Sequence, residues 1–215
     1  MSPRVLIFSG PTREHLDPVR FLSNASSGRM GRELALESLR RGAKVDFVTG
    51  PVDPARLPAG ESLTLHRVTS AREMLERGRV LFRSCDAALF AAAVADYEPA
   101  ECRDRKMPKS ECTLTLEFHP TPDVAATLCR SKRAGQWTLG FALQSDSGRE
   151  QARDKMQRKH LDAILLNTPA AMERDTLTCA LLTAADGTFD DWGTISKTEC
   201  ARRIVSAIPH FSCEK

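Results

Sequence analysis

Short apolar runs alternate with a segment of helical periodicity through the first fifty residues. The runs RVLIF (4–8) and KVDFVTG (44–50) are rich in β-branched and aromatic residues, as buried strands are. Between them, GRELALESLRRGA (31–43) places leucines at helical spacing, and Gly42 is the kind of residue that ends a helix. The pattern predicts a βαβ unit.

The same alternation continues through the rest of the chain. Further strands are predicted at LTLHRV (63–68), the start of DAALFAAAVADY (86–97), WTLGFAL (137–143), DAILLN (162–167) and TCALLT (178–183). Further helices are predicted at SAREMLERGRVLF (70–82) with Ser70 as N-cap, REQARDKMQRKHL (149–161) and KTECARRIVSAI (197–208). We therefore predict one α/β domain over residues 1–215: a Rossmann-like, doubly wound, mostly parallel sheet with an antiparallel C-terminal edge or dimerisation hairpin.

In such a sheet, ligands bind beyond the carboxyl ends of the strands. This rule places three segments on one rim: residues 10–31, residues 91–109 and the residues after Phe141. Residues 99–122 contain four prolines, two cysteines and many charges, so we expect a long functional or mobile loop there. A ligand site at this rim is the main functional expectation.

Composition excludes several classes of protein. The 31 basic residues are offset by 28 acidic ones, and a net charge of +3 does not favour nucleic acid as a partner. The start of the sequence lacks the pattern of a signal peptide and no apolar run has membrane-spanning length, so we expect a cytoplasmic protein with no membrane partner. Seven cysteines without a CxxC pair indicate free thiols, and five histidines without HExxH do not indicate a histidine metal site.

The segment GPTREHLDPVRFLSNASSGRMG (10–31) follows the first strand, where a dinucleotide-binding protein has a tight GxGxxG turn. It is much longer than such a turn and is rich in polar residues, so it can wrap a polar ligand. Backbone N–H groups beside Gly28 and Gly31, at the start of a helix, favour a phosphate or a carboxylate. The alternative is an ordinary Ω-loop that leads into a helix capped by Ser or Asn.

Two further segments of the rim carry candidate chemistry. In AAAVADYEP (91–99), the alanines let a ring or ribose approach the backbone, and Asp96 can bind a hydroxyl group or a metal. In RKMPK (105–109), Lys106 and Lys109 can fold over phosphates. The alternatives are an alanine-rich strand ended by an aspartate cap, and a solvated basic loop.

Lys155 and Lys159 lie four residues apart on a predicted helix, so they share one face. This spacing suits a polyphosphate. It is equally typical of a solvated helix face.

Taken in order, these segments resemble the phosphopantothenoylcysteine synthetase family, also called phosphopantothenate cysteine ligase. The resemblance spans nearly the whole chain, and the long first segment is its most specific part. It runs through GPTREHLDPVRFLSNASSGRMG, AAVADYEP, KMPK, TPDV, GFAL and DKMQRKHLDAILLN.

The resemblance implies a ligase of coenzyme A biosynthesis. The carboxylate of 4′-phosphopantothenate would attack the α-phosphate of a nucleoside triphosphate, giving an acyl-nucleotide and pyrophosphate. The amine of cysteine would then displace the nucleoside monophosphate. Mg²⁺ is the implied cofactor, and CTP is favoured over ATP because the lysine loop and the 149–161 helix look closer to the bacterial form.

The resemblance also assigns the site residues. Asn24 and Lys106 would be catalytic, and Asp96 would be the metal ligand. Nucleotide contacts are implied for Ala91, Ala92, Asp96, Lys106, Pro122, Asp123, Val124, Ala125, Phe141, Lys155 and Lys159. Substrate contacts are implied for Gly10, Thr12, Arg20, Asn24, Ser27 and Gly28.

The sequence departs from the family pattern in three places. Pro108 stands where another lysine is common, and Gln144 stands where an acidic residue is common. The flavin-dependent decarboxylase domain of many bacterial members is absent, so we expect a stand-alone ligase, with any decarboxylase a separate protein. The family also implies a homodimer formed through a strand-rich extension.

Two other functions stay open at this point. An NADP-binding, Rossmann-like oxidoreductase would use the long first loop with Arg40, Arg41 and Lys44, although both GxGxxG and the YxxxK dyad are missing. A non-catalytic nucleotide-binding protein of the same fold would account for Pro108 and Gln144.

Overall fold

The computed structural model describes residues 2–109, 111, 113–143, 148–168 and 175–211. Its strands are β1 Arg4–Ser9, β2 Arg13–His15, β3 Phe21–Ser23, β4 Lys44–Thr49, β5 Leu63–Arg67, β6 Ala87–Phe90, β7 Tyr97–Pro99, β8 Phe118–Pro120, β9 Trp137–Leu143, β10 Ala163–Asn167, β11 Thr176–Thr183 and β12 Phe189–Ser196. Its helices are α1 Arg29–Arg40, α2 Ala71–Phe82, α3 Val124–Cys129, α4 Gly148–Arg158 and α5 Lys197–Ser206, with short 3₁₀ turns at Pro54–Arg56 and Pro209–Phe211.

Within the described residues, eight strands form one sheet in the order β12-β11-β10-β9-β6-β1-β4-β5. The six strands from β10 to β5 are parallel, whereas β11 and β12 add an antiparallel hairpin at one edge. The predicted fold class is therefore confirmed, including its antiparallel C-terminal edge.

Helices cover both faces of the sheet. Buried apolar residues of α1 and α5 pack with the strands in one core. Buried residues of α2, α3 and α4 pack in a second core on the other face. The chain places β4 and β5 on one side of β1 and then returns to place β6, β9 and β10 on the other. The strand order therefore reverses between β1 and β6, which is the switch point where such sheets bind ligands.

Two local predictions need correction. The 99–122 region is not loop throughout, because β7 and β8 pair as an antiparallel ribbon that frames it. No helix is predicted where the structure forms α3, whose N-cap Asp123 accepts a hydrogen bond from the amide of Ala126 at 3.0 Å. With six residues, α3 is too short for periodicity to indicate it.

Close contact between α1 and β1 fixes the start of the helix beside the end of the strand. A Cβ atom at Gly31 would lie 2.1 Å from the Ser9 hydroxyl oxygen and 2.5 Å from its Cβ. Such distances are not tolerated, so a larger residue at Gly31 must push α1 away from the sheet.

We therefore expect Gly31→Ala to lower the free energy of unfolding by about 1–3 kcal/mol, the usual range for overpacking. Urea unfolding measures this change. Ser9→Gly removes both clashing atoms, so the double variant should lose less stability than the two single losses combined. Additive losses would contradict the contact.

Candidate ligand-binding site

A cavity of about 590 Å³ opens at the carboxyl ends of β1, β6, β9 and β10. It therefore lies at the switch point, and its walls come from both helical layers. The α1 and α5 layer contributes Arg29, Met30 and Lys197, whereas the α4 layer contributes Lys155 and Lys159.

Most of the sequence-predicted site residues meet in this cavity. Those that line it are Asn24, Ser27, Gly28, Ala91, Ala92, Asp96, Pro122, Asp123, Val124, Ala125, Phe141, Lys155 and Lys159. Four others do not line it: Gly10, Thr12, Arg20 and Lys106. Gln144 lies outside the described residues.

Gly10 and Thr12 shape the opening loop without lining the cavity. Gly10 has φ +71°, and a Cβ there would lie 2.9 Å from Val52. The side chain of Thr12 is buried, and its hydroxyl oxygen accepts a hydrogen bond from the amide of Ala95 at 2.9 Å. In this structure, both residues hold the loop in place.

Asn24 joins the opening loop to the segment that follows β6. Its side-chain nitrogen donates to the carbonyl oxygens of Val94 at 2.9 Å and Ala93 at 3.3 Å. These bonds use both amide protons. Donation to a substrate carbonyl, the role predicted for Asn24, would require one of these bonds to be released.

The first turn of α1 has no side-chain cap. Its N-cap is Gly28, with φ 74°, and no side chain accepts a hydrogen bond there. The alternative of a helix capped by Ser or Asn is therefore wrong. The positive end of the helix dipole faces residues that line the cavity.

At the α4 side of the cavity, two lysines contact protein groups. Lys155 donates to the carbonyl oxygen of Phe141 at 2.9 Å, and Lys159 forms an ion pair with Asp123 at 2.9 Å. Burial, followed by the charge of Lys159, lowers the pKa of Lys155. Burial raises the pKa of Asp123, but the amide of Ala126 and the ammonium of Lys159 outweigh it, so the pKa lies below 3.8. Both lysines are half-buried, so the alternative of a solvated helix face does not describe them.

The lysine segment is fixed by a carboxylate of the opening loop. Asp17 is fully buried and accepts hydrogen bonds from the amides of Val19 and Arg20 at 2.8 Å and of Met107 at 3.2 Å. Arg20 pairs with Asp17 at 3.3 Å and donates to the carbonyl oxygen of Met107. Met107 is thus anchored to the opening loop, while Lys106 is exposed.

Other polar groups reach the cavity without having been predicted. Asn167 ends β10, and its buried side-chain oxygen has no hydrogen-bond partner among the described residues, which indicates a place for a ligand donor. The rule that ligands bind at carboxyl strand ends could have identified it. Arg29 and Lys197 each begin a helix, and both line the cavity although the sequence analysis assigns no site residue to α5.

The residues proposed for an NADP phosphate lie elsewhere. Arg40 and Arg41 both bind the carboxylate of Glu37 at 2.7 Å, and Lys44 begins β4 at the amino edge of the sheet. None of the three lines the cavity. The geometry therefore does not support the oxidoreductase alternative.

The described ranges contain neither a cluster of metal ligands nor a membrane-spanning helix. No group of three or more His, Cys, Asp or Glu side chains in these ranges is placed to hold a metal ion. None of the helices in them has the length and apolar character needed to cross a bilayer.

The sheet order and the cavity define a Rossmann-like α/β protein with a ligand site at its switch point. The family model described as the DNA/pantothenate metabolism flavoprotein C-terminal domain matches residues 1–211. The chain belongs to this family.

Relatives and solved structures agree with this assignment. The coenzyme A biosynthesis bifunctional protein CoaBC of Vibrio cholerae is 40% identical over 166 residues, which cover 76% of this chain and 41% of that protein. A protein of an unknown prokaryotic organism named cysteine/cysteine sulfinic acid decarboxylase is 44% identical over 165 residues, covering 77% of this chain and 45% of that protein. The chain thus spans less than half the length of these curated relatives.

A crystal structure of the C-terminal domain of CoaBC superposes with a TM-score of 0.80 at 31% identity, covering 99% of this chain and 98% of that one. The DNA/pantothenate metabolism flavoprotein of Streptococcus pneumoniae superposes with a TM-score of 0.83 at 18% identity, covering 98% of this chain and all of that one, which supports the fold.

The buried Asp17 carboxylate predicts a pH dependence of stability. Burial raises its pKa, but the amides of Val19, Arg20 and Met107 and the charge of Arg20 outweigh burial and lower the pKa below 3.8. A carboxyl group with a depressed folded-state pKa stabilises the fold above its unfolded pKa, and this stabilisation is lost as the pH falls through the folded value.

We therefore expect Asp17→Asn to destabilise the protein most at pH 7, and progressively less as the pH falls from about 4, the unfolded-state value, through the lower folded-state pKa at which the wild-type carboxylate becomes protonated. Urea unfolding over a pH series measures the difference. Asp104→Asn removes an exposed carboxylate from the same region and serves as control. A difference between wild type and Asp17→Asn that is independent of pH would contradict the assignment.

Proposed function

We propose that this chain is a phosphopantothenate–cysteine ligase that uses a nucleoside triphosphate, with CTP preferred over ATP. The observation that carries the proposal is the cavity at the switch point, because it collects residues that family resemblance assigns to nucleotide and acyl substrate. The match to nearly the full length of a CoaBC C-terminal domain supports it.

The name of the decarboxylase relative does not change the function that we propose. The match covers 45% of that protein, so its name describes a molecule more than twice as long as the matched part. The cavity of the present chain has features that suit phosphate and acyl groups: cations, small alanines and a helix N-terminus.

In the first step, a carboxylate oxygen of phosphopantothenate attacks the α-phosphorus of the nucleotide. The bond from that phosphorus to the bridging oxygen breaks, and pyrophosphate leaves. Both reactants are anions, so cations are needed to bring them together. Lys155 and Lys159 supply positive charge from one side of the cavity, and Lys106 would approach from the exposed lysine segment.

In the second step, the amine of cysteine attacks the acyl carbon, the carbon–oxygen bond to the nucleotide breaks, and the amine loses a proton. The nucleoside monophosphate leaves and the amide remains. Asn24 lies where the opening loop meets the Ala91–Val94 segment, and its amide is the group that we assign to hold the acyl-nucleotide. Its bonds to Ala93 and Val94 keep it at the cavity wall, and one of them would be released when the amide donates to the acyl carbonyl.

The donor set fits Mg²⁺ held mainly by the nucleotide. Asp96 is an exposed carboxylate on the cavity, whereas Asp123 is already paired with Lys159. Mg²⁺ is commonly bound by one or two carboxylates together with substrate phosphates. When bound, the ion would neutralise phosphate charge, and Asp96 is the residue of this chain that would hold it.

The base and ribose would lie against Phe141, the Pro122–Ala125 segment and the alanines at 91 and 92. Small side chains and exposed backbone groups suit a flat base and its sugar.

We further propose that the protein forms a homodimer. The hairpin of β11 and β12 supplies the open sheet edge through which a second copy would pair.

The test is pyrophosphate release from the purified protein with Mg²⁺ and 4′-phosphopantothenate, comparing CTP with ATP, with and without cysteine. We expect faster release with CTP, a requirement for phosphopantothenate, and amide product only when cysteine is present. Nucleotide binding without pyrophosphate release would instead favour the non-catalytic alternative.

We expect Lys106→Gln to slow pyrophosphate release by about 10²-fold or more, because charge stabilisation in the activating step is lost. Lys106→Arg should retain more activity. Arg105→Gln changes a neighbouring exposed cation and is the matched control. Near-normal release by Lys106→Gln would assign this lysine to the solvated loop.

A further inference from the structure

A second pocket, of about 350 Å³, opens beside the cavity at the switch point and has no role in the function described so far. It lies between the opening loop after β1 and the turn after β4. The residues that line it include Arg13, Phe21, Val52, Asp53 and Arg56. It shares Asn24, Ser26 and Ser27 with the cavity, so the two spaces meet at the asparagine to which we assign the acyl-nucleotide.

Close backbone contact between the two loops fixes the shape of this pocket. A Cβ atom at Gly50 would lie 1.7 Å from the carbonyl oxygen of Pro11, and one at Gly10 would lie 2.9 Å from Val52. The amide of Gly50 also donates to the carbonyl oxygen of Ser9 at 3.1 Å. The pocket is thus preformed, as small-molecule sites usually are.

Two arginines of this pocket differ from the other half-buried arginines of the described residues. Ion pairs with carboxylates are formed by Arg20, Arg29, Arg32, Arg41 and Arg203. Arg13 and Arg56 are half-buried as well, but neither forms an ion pair with a described residue. A guanidinium that has lost part of its water and has no anion beside it gains most from an anionic ligand.

The surroundings of the two arginines leave the pocket positively charged. The guanidinium of Arg13 lies over the ring of Phe21, 4.4 Å from its centroid, so its N–H edge stays free for a ligand. Arg56 ends the short 3₁₀ turn Pro54–Arg56. Asp53 is the one carboxylate among the described residues that line the pocket, and it accepts a hydrogen bond from the amide of Ala55 at 2.9 Å. Two cations against one carboxylate favour an anionic ligand.

A carboxylate on a small molecule fits these groups. The planar fork of arginine matches the two oxygens of a carboxylate in parallel hydrogen bonds. Phe21 and Val52 add apolar surface for a short side chain. In the second step of the proposed reaction, the amine of cysteine must reach the acyl carbon beside Asn24, and the cysteine carboxylate is attached to the same carbon atom as this amine.

We propose that this pocket, here called the arginine pocket, binds the cysteine substrate. Arg56 and Arg13 hold its carboxylate, Val52 and Phe21 contact its side chain, and its amine is directed toward Asn24. This inference rests on the proposed function, because it concerns the nucleophile of the second step. It adds the residues that select an α-amino acid over a simple amine.

The location also gives the two steps separate entrances. The nucleotide and phosphopantothenate share the cavity at the switch point, where the first step takes place. Cysteine would enter between the opening loop and the turn after β4, and would meet the acyl-nucleotide at the shared residues Asn24, Ser26 and Ser27. It would therefore not compete with the reactants of the first step.

The experiment compares two nucleophiles in amide formation by the purified protein with Mg²⁺, nucleoside triphosphate and 4′-phosphopantothenate. L-Cysteine carries the carboxylate, and cysteamine has the same amine and thiol without it. Wild type is compared with Arg56→Gln and with Arg56→Lys, which keeps the charge and loses the fork. Arg79→Gln removes an exposed arginine of α2 that lines neither space and serves as control. Circular dichroism checks that each variant folds.

We expect Arg56→Gln to lower kcat/KM for cysteine by about 10- to 100-fold, the usual loss for a hydrogen bond to a charged group, mainly through a higher KM. The same variant should use cysteamine as the wild type does, because cysteamine has no carboxylate to lose. Arg56→Lys should retain part of the preference for cysteine, and Arg79→Gln all of it. Arg13→Gln should act in the same direction as Arg56→Gln.

Two results would overturn the arginine pocket as the cysteine site. One is an equal effect of Arg56→Gln on cysteine and cysteamine, including no effect on either, since the carboxylate would then not be read. The other is a raised KM for phosphopantothenate with an unchanged KM for cysteine, which would assign the arginines to the acyl substrate.

The proposed function fails separately, if the wild type releases no pyrophosphate and forms no amide. Ligand-observed NMR with cysteine then decides. Binding of cysteine that is lost in Arg56→Gln and is not shared by cysteamine would support an amino-acid site with another role. Absence of cysteine binding by the wild type would overturn the arginine pocket.

Discussion

Backbone pairing across the switch point holds the whole cavity together. The amide of Ala91 donates to Phe8, the amide of Ala93 donates to Gly10, and the amide of Thr12 donates to Ala93. The β1 and β6 pairing thus continues beyond both strands, into the two segments that carry the site. Because these bonds are local and directional, the opening loop has a defined course despite its length.

The backbone pairing between the ends of β1 and β6 also positions the segments that follow these two strands. The loop after β1 turns back as the β2 and β3 ribbon and leads into α1, while the segment after β6 leads into β7. Asp17 and Thr12 bind the two segments to each other at separate points. The cavity is consequently built on backbone pairing together with side-chain contacts from Asp17 and Thr12.

Much of this arrangement is predictable from sequence because strand and helix periodicity is local. The β1-α1-β4 unit, Ser70 as N-cap and the antiparallel edge are all confirmed. The carboxyl-end rule also gathers Asp96, Phe141 and the α4 lysines at one rim. The catalytic roles of Asn24 and Lys106 stay predictions.

The features that the sequence does not predict depend on tertiary contacts. Nothing in the residues around Asp17 indicates that its carboxylate will be buried against Met107, ninety positions away. The same applies to Lys197, because only the packing of α5 on α1 brings it to the cavity. Its neighbours in sequence predict only an amphipathic helix.

The antiparallel hairpin has a consequence for how the site is assembled. It separates the parallel strands from α5, so a cavity wall begun near the first strand is completed by the last α-helix described. Contacts between such distant parts of a chain form slowly, since a long loop must close first. The α5 part of the wall follows β12 directly in the chain, so the site is complete only once the edge hairpin has paired and α5 has packed on α1.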